Sequence, residues 1–368
     1  MKKLVIASDS FKGTLSSKEI ADLFEEQLKE ISPDTSLNKV VLGDGGENTL
    51  EVFGFNFPNG KYYKLEAAGP NFNKVTAKYF TYDKYAVIEQ AEANGLNLTN
   101  PKNPMLTTTF GVGELILDAY NKGYRHFYIG LGGSSTNDGG CGLLSALGIQ
   151  FYNQENKPFV PVGGTLSEIK SIDSNGLKVK DAKFVILSDV TNPMFGPKGA
   201  AYVFAKQKGA NNKEIKILDN NLKYLNKLFI KFTGKHVEQM PGSGAAGATS
   251  AGMLAYLNCE IVSGIETILG IVNFDEIIKD ADYLITGEGK LDSQSFDGKL
   301  ITGVLKHTNA LHIPTICVCG IAEKNIQNNG FYKVYTTSDG NQDFDYIKKN
   351  ASKMYSETIR KVLLELLK

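Results

Sequence analysis

Short apolar runs alternate with amphipathic stretches along this chain, which is the pattern of strands followed by helices. Residues 4–8 form an apolar run typical of a buried strand. A helix is predicted to begin near Ser16, because Ser16 and Glu19 have the spacing of a capping box. A second strand is predicted over residues 38–43, with a helix from Asn48. This opening predicts an α/β fold with a parallel, doubly wound sheet.

The same alternation continues to the end of the chain. Further strands are predicted over residues 86–91, 127–131, 183–187, 283–286, 315–318 and 333–337. Amphipathic stretches predict helices over residues 211–232 and 343–368. Several of the strands end in turns rich in glycine, aspartate and glutamate. Because ligands bind at the carboxyl edge of parallel sheets, these turns predict a shared ligand site.

The length of 368 residues predicts two domains, since it exceeds what one ordinary core supports. The best early break is Gly69-Pro70, and the best late one covers residues 273–282. We therefore predict one domain built from residues 1–70 plus 283–368. A second α/β domain, residues 71–282, is expected to be inserted into it.

Composition removes several classes of function. The 40 basic and 40 acidic residues cancel, which argues against nucleic acid as a partner. No apolar run approaches the roughly 20 residues that span a bilayer, and the first apolar run is too short for a signal core. The four cysteines form no C-x-x-C pair, and the four histidines have no metal-ligand spacing. The chain is expected to be cytoplasmic, with reduced thiols.

The strongest local motif is the glycine-rich stretch 130–140, which follows a predicted strand. Its glycines let the backbone approach a phosphate, and the hydroxyls of Ser134, Ser135 and Thr136 can donate hydrogen bonds. Asp138 could contact Mg²⁺. The alternative is a tight connection that only needs positive φ. The stretch matches neither the P-loop nor G-x-G-x-x-G.

Charged residues follow other predicted strands. Asp9 and Lys12 come after the first strand, and Asp44 and Glu47 come after the second. They could bind a substrate, or they could be a surface ion pair and ordinary turn residues. Asp189 also ends a strand. It could accept a proton from an attacking hydroxyl or hold Mg²⁺, or it could cap the segment that follows.

Two later turns carry further candidates. The stretch 242–247 is small enough to lie against a nucleotide base or ribose, although close helix packing explains it equally well. Glu288, Lys290 and Asp292 place three charges in one glycine turn, which indicates function. Lys299 is either a phosphate ligand or an exposed helix residue.

No order of serine, histidine and aspartate suggests a hydrolase, and no dinucleotide fingerprint follows the first strand. Glycine turns, carboxylates and lysines at strand ends instead favour metal-assisted phosphoryl transfer. This chemistry needs positioning, Mg²⁺ and positive charge on the phosphates rather than a covalent step.

Six motifs together resemble the type I glycerate kinase family, and the resemblance covers essentially the whole chain. They are residues 7–13 (ASDSFKG), 43–47 (GDGGE), 130–140 (GLGGSSTNDGG), 188–193 (SDVTNP), 241–247 (PGSGAAG) and 286–294 (TGEGKLDSQ). They occur here in the order that the family has.

The resemblance implies ATP- and Mg²⁺-dependent phosphorylation of D-glycerate to 2- or 3-phosphoglycerate. It also implies a flavodoxin-like domain built from both chain ends, a second inserted domain, and a cleft between them. Activity on another hydroxy acid, or a nucleotide-binding regulator without activity, are the alternatives. A homodimer is one expectation for its assembly.

On this basis, each candidate residue receives an expected role. Asp189 is expected to be the base, with Lys12 and Lys290 as catalytic cations. The residues expected to bind ATP are Gly132, Gly133, Ser134, Ser135, Thr136, Gly244 and Lys299. Those expected to bind glycerate are Asp9, Asp44, Glu47 and Glu288. Mg²⁺ is expected at Asp138 and Asp292, with Asp44 as an alternative.

Overall fold

A computed structural model describes residues 2–296, 300–323, 326 and 329–367. The strands are β1 (Lys3–Ser8), β2 (Ser36–Val41), β3 (Lys61–Ala68), β4 (Lys74–Tyr82), β5 (Tyr85–Glu89), β6 (His126–Gly130), β7 (Gln150–Tyr152), β8 (Pro158–Phe159), β9 (Ser171–Asp173), β10 (Lys183–Leu187), β11 (Cys259–Val262), β12 (Tyr283–Thr286), β13 (Lys290–Leu291), β14 (Thr315–Cys319), β15 (Ile321–Ala322) and β16 (Lys333–Thr336).

The helices are α1 (Ser17–Ile31), α2 (Thr49–Asn56), α3 (Ala91–Asn94), α4 (Phe110–Asn121), α5 (Cys141–Ala146), α6 (Ala200–Phe204), α7 (Asn212–Thr233), α8 (Ala245–Tyr256), α9 (Gly264–Ile271), α10 (Phe274–Ile278), α11 (Leu300–Ala310) and α12 (Phe344–Leu366). Within the described ranges, none of these helices has both the length and the apolar character needed to cross a membrane.

The chain divides into two compact units. The first unit is Met1–Asp44 with Ile265–Lys368, and the second unit is Gly45–Gly264. These bounds differ from the predicted boundaries after residues 70 and 282. Gly69 and Pro70 lie in the turn between β3 and β4, which pair with each other in one sheet. A glycine-proline turn inside a sheet therefore has the same sequence signal as a break between domains.

The first unit contains a five-stranded sheet in the order β2-β1-β12-β14-β16, and every neighbouring pair is parallel. Its central strands β1, β12 and β14 are buried except for Lys3 and Tyr283 at the starts of the first two, as the apolar runs predict. The capping box at the start of α1 is confirmed, because the Glu19 amide donates to Ser16 Oγ at 3.2 Å and the Ser16 amide donates to Glu19 Oε2 at 2.8 Å. Helices α1 and α12 contribute Phe24 and Tyr355 to its core.

The second unit contains a six-stranded sheet in the order β11-β10-β6-β5-β4-β3. The strands from β11 to β5 are parallel, whereas β4 and β3 add to the edge as antiparallel strands. The mostly parallel α/β fold is as predicted, but β3 and β4 are not among the predicted strands. Exposed positions of β3 alternate with less exposed ones, and residues 63–67 alternate apolar and polar accordingly, so this edge strand has a period of two rather than a continuous apolar run.

Candidate active site

The glycine-rich stretch 130–140 lies against residues 45–47 of the same unit. A Cβ on Gly132 would lie 2.4 Å from the Cα of Gly46. Gly133 has φ +68°, and its Cβ would lie 2.8 Å from Oε1 of Glu47. Glycine is therefore required at both positions by the neighbouring backbone and side chain, whether or not a ligand binds.

The other side of this stretch contacts residues 241–247. A Cβ on Gly247 would lie 2.1 Å from the carbonyl oxygen of Thr136, and the Gly139 amide donates to the Gly247 carbonyl at 3.1 Å. The Gly244 amide in turn donates to the Asn192 carbonyl at 2.9 Å. Parts of four predicted motifs of the second unit are thus packed together through backbone contacts.

The first turn of α8 is left-handed. Ala246, Gly247 and Ala248 have φ of 54°, 67° and 66°, respectively. For an L-residue with a Cβ this conformation costs roughly 1–2 kcal/mol per residue. Ser250 Oγ donates to the Gly242 carbonyl at 2.7 Å and helps to hold this turn. Strain of this kind persists only where the surrounding structure fixes it, and it is common at ligand sites.

The three predicted phosphate-binding hydroxyls have different surroundings. Ser135 Oγ donates to the Asn94 carbonyl at 2.7 Å, and Thr136 Oγ1 accepts from Asn94 Nδ2 at 3.3 Å. Both side chains are almost completely buried, and these bonds fix the loop from within. Ser134 instead accepts a bond at 2.7 Å from the ammonium of Lys208.

Asp138 is fully buried, and its carboxylate holds the loop together. It accepts bonds from the Thr109 amide and hydroxyl, both at 2.8 Å, and from the amides of Gly140 at 3.1 Å and Gly142 at 3.2 Å. Burial raises its pKa, while these four bonds favour the charged form. This geometry argues against the predicted metal role, because donors of the protein already occupy the carboxylate.

Asp189 lies after β10 and contacts the start of α9. Its Oδ1 accepts from Ser263 Oγ at 2.7 Å and from the Gly264 amide at 3.2 Å. These contacts are with a distant segment rather than with the residues that follow Asp189, so they differ from the alternative of a local capping turn. The base role stays a prediction.

Lys208 was not predicted as a site residue. It lies between α6 and α7, is 3% exposed, and its Nζ also donates to the Thr136 carbonyl at 2.7 Å. Burial is the larger influence and lowers its pKa to about 7, while the charge of Asp138 acts in the opposite direction. A lysine in a polar stretch suggests an exposed side chain. The sequence gives only a weak indication that Lys208 is buried, namely its small buried neighbours Ala205 and Ala210.

In the first unit, the strand-end carboxylates come together as predicted. The Asp9 amide donates to the Gly287 carbonyl at 3.0 Å, which joins the turn after β1 to the turn after β12. Burial, followed by the charge of Asp44 and then that of Glu288, raises the pKa of Asp9 to about 7, while its bond from the Ser10 amide and the charge of Lys12 act in the opposite direction. Lys12 is exposed, at the edge of this group.

The remaining candidates of the first unit include an ion pair. Lys290 Nζ lies 2.9 Å from Asp292 Oδ2 and 3.8 Å from Glu323 Oε1, and Lys290 is largely exposed. Lys299 lies outside the described residues. Among the described residues, no group of three or more histidine, cysteine, aspartate or glutamate side chains has a geometry that could hold a metal.

Comparison with known proteins agrees with the motifs. A sequence model of the glycerate kinase family matches residues 4–367. A glycerate kinase of Bacillus cereus is 41% identical over 329 residues, which cover 88% of this chain and 86% of that protein. A glycerate 2-kinase of Escherichia coli is 40% identical over 86% of this chain and 85% of its own length.

A solved structure agrees as well. The crystal structure of a protein assigned as glycerate kinase 2 from Salmonella typhimurium LT2 superposes with a TM-score of 0.86 at 35% identity. The match covers 99% of this chain and 98% of that one. On the family model and on these relatives, the chain belongs to the glycerate kinase family.

Proposed function

We propose that this protein is a glycerate kinase that transfers the γ-phosphoryl group of ATP to a hydroxyl of D-glycerate, giving 2- or 3-phosphoglycerate and ADP. The observation that carries the proposal is family membership over almost the whole chain, residues 4–367. The packed glycine motifs and the clustered strand-end carboxylates are the groups that phosphoryl transfer requires.

We also assign the chain to the type I family with a flavodoxin-like first unit. The six motifs in family order support the first part. The strand order β2-β1-β12-β14-β16 supports the second, because it has the 2-1-3-4-5 arrangement of flavodoxin-like sheets.

The proposed roles divide between the units. In the second unit, the backbone of Gly132, Gly133 and Gly244 with Ser134 would bind ATP phosphates, while Ser135 and Thr136 fix the loop. Glu47 beside Gly133 and the carboxylates of the first unit remain proposed glycerate ligands. Lys12 and Lys290 would balance the charge of a carboxylate or phosphate.

Mg²⁺ would neutralise phosphate charge in this reaction. Kinases usually bind it through one or two carboxylates plus phosphate oxygens, so a cage made only of protein ligands is not required. Asp292 is our proposed ligand, since it is a partly buried carboxylate in the charged turn after β12. Asp138 is not, because its oxygens already accept four bonds.

The activity is tested with the purified protein, ATP, Mg²⁺ and a panel of D-glycerate, lactate, tartronate and hydroxypyruvate. We expect ADP release that depends on D-glycerate, and phosphorus NMR of the product distinguishes the 2-phosphate from the 3-phosphate. Faster turnover of another acid would reassign the substrate. Nucleotide binding without release of ADP on any acid would indicate a regulator.

The base role of Asp189 is tested by comparing Asp189→Asn with Ser263→Ala. If Asp189 is the base, Asp189→Asn lowers kcat by about 100-fold or more, whereas Ser263→Ala has little effect. If Asp189 only anchors the chain before α9, both variants lower the Tm similarly and keep their activity.

A further inference from the structure

Lys208 carries a buried ammonium group without a nearby counter-ion. Among the residues that the structure describes, no carboxylate forms an ion pair with its Nζ, and the one carboxylate whose charge influences it is that of Asp138. Its two bonds, to Ser134 Oγ and to the Thr136 carbonyl, both go to uncharged groups. Buried charges are normally paired, so the lack of a charged partner favours the neutral amine, and an anion that binds nearby would stabilise the charged form.

The titratable group that faces Lys208 is Asp138, which belongs to the same 130–140 stretch as Ser134 and Thr136. Asp138 is a weak partner, because its carboxylate accepts four bonds from Thr109, Gly140 and Gly142. On the other side, Gly209 approaches the backbone carbonyl of Lys102, whose own side chain is exposed. An anion that binds at the loop would therefore be the missing counterpart.

A second observation indicates a ligand at the same loop. Asn137 is fully buried, and neither its side-chain oxygen nor its side-chain nitrogen has a partner within the described part of the chain. The side-chain oxygen of Asn94, which bonds Thr136 through its nitrogen, is also buried without one. Buried amides are rarely left unpaired in proteins, so the loop has polar groups that the protein does not satisfy by itself.

The bond from Lys208 also fixes what Ser134 can do. When Lys208 is charged, its ammonium group only donates, so Ser134 Oγ is the acceptor in their 2.7 Å contact. The hydroxyl proton of Ser134 then points away from Lys208 and is available to a ligand oxygen. The charge behind the hydroxyl strengthens that donor.

We propose that Lys208 is a positioning residue for the phosphoryl donor, which places a positive charge beneath the 134–137 loop and orients the Ser134 hydroxyl toward a bound phosphate. This inference rests on the proposed use of a nucleotide. It acts through the loop, since Lys208 is only 3% exposed.

The proposal is tested by calorimetry of ADP binding at pH 8 in two buffers with different ionisation enthalpies. Because burial holds the pKa of Lys208 at about 7, the empty site is largely neutral at pH 8. A phosphate anion should restore the charge, so wild-type protein should take up a large part of one proton on binding ADP. The uptake should be much smaller at pH 6, where Lys208 is already charged.

Lys208→Met should abolish the uptake at pH 8 and weaken ADP binding about tenfold or more. Lys206→Met is the matched control, since Lys206 is exposed two residues away and its loss should change neither. Wild-type affinity and uptake in a folded Lys208→Met protein would overturn the proposal.

Ser134→Ala provides a second test if Lys208→Met fails to fold. It removes the hydroxyl but leaves the bond from Lys208 to the Thr136 carbonyl. We expect ADP binding to weaken by about fivefold to tenfold. Unchanged binding would overturn the proposal that Lys208 acts by orienting the Ser134 hydroxyl toward the phosphate. If the wild-type protein takes up a proton on binding ADP but shows no glycerate-dependent turnover, only the kinase assignment is refuted. If the wild-type protein turns over glycerate but Lys208→Met binds ADP as tightly as the wild type, only this inference is refuted.

Discussion

Asp9 shows how neighbouring residues set the chemistry of a single side chain. Its pKa of about 7 arises from burial and from the charges of Asp44 and Glu288. The unfolded value is about 3.9. The folded protein therefore binds this proton more tightly than the unfolded chain does. Ionised Asp9 destabilises the fold, and this cost grows as pH rises from about 4 to about 7.

Asp9→Asn should consequently stabilise the protein at pH 8, by roughly 1–3 kcal/mol. The gain should be smaller at pH 5, where wild-type Asp9 is mostly protonated in the folded state. Thermal melts at the two pH values measure this. Asp34→Asn, at an exposed position, is the control and should shift the Tm little at either pH. A gain for Asp9→Asn that does not depend on pH would contradict the proposed origin of the strain.

The sequence could predict Asp9, Asp44 and Glu288 as neighbours, because carboxyl ends of parallel strands converge. It could not predict the saturated carboxylate of Asp138 or the burial of Lys208. Both depend on contacts with distant segments, such as Thr109 with Asp138 and Ser134 with Lys208. A glycine-rich motif of this kind indicates a functional loop, but it does not distinguish the residues that hold the loop in shape from those that bind a ligand.

At the scale of elements, helix α2 depends on an N-terminal cap that comes from strand β5 rather than from its own N-cap residue. Its N-cap residue Asn48 has φ 68° and makes no side-chain cap bond. Glu89 at the end of β5 replaces that cap, accepting from the amides of Asn48 and Leu50, both at 3.0 Å. Burial raises the pKa of Glu89 to about 7.

Glu89→Ala should lower the free energy of unfolding by about 1–3 kcal/mol, because two amides at the start of α2 lose their acceptor. Urea denaturation measures the change. Glu92→Ala, which removes a carboxylate that lies 3.7 Å from Lys78 Nζ, should cost less than about 1 kcal/mol. Equal losses in the two variants would show that the cap contributes no more than an ordinary ion pair.

For the left-handed turn of α8, in contrast to Glu89, we expect that removing a side chain does not destabilise the fold. Ala246→Gly relieves the cost of a Cβ at φ 54°, so we expect it to be neutral or to stabilise the fold by up to about 1 kcal/mol. Ala251→Gly, in the right-handed part of α8, should destabilise it by about 1 kcal/mol. The two Tm values test this, and a larger loss at Ala246 would mean that its methyl group packs favourably enough to offset the strain.

Local signals predicted elements better than they predicted pairing. The capping box of α1 and the apolar runs of β10 and β12 depend on neighbouring residues only, and they placed these elements correctly. The edge strand β3 and its neighbour β4 pair across a glycine-proline turn, and apolar and polar residues alternate in both, over residues 63–67 and 75–79. This alternation is a strand signal, but the prediction relies on continuous apolar runs, so it omits both strands and places a domain boundary at the turn between them.

At the scale of the whole molecule, the second unit is one continuous segment with its own sheet and core. Phe127, Phe184 and Phe229 are each at most 1% exposed within that core. We expect the isolated segment 45–264 to fold and to unfold in one cooperative thermal transition. Circular dichroism melts test this, and a non-cooperative melt would show that the segment needs the first unit for its stability.

The contact between Gly132 and Gly46 has a consequence for genetics. A methyl group on Gly132 would collide with backbone atoms of residue 46, 2.4 Å away, where there is no side chain to shorten. A lesion such as Gly132→Ala therefore offers no compensating substitution at the site of the collision. Selection for restored growth should return true revertants at codon 132, and second-site suppressors at codon 46 should be absent.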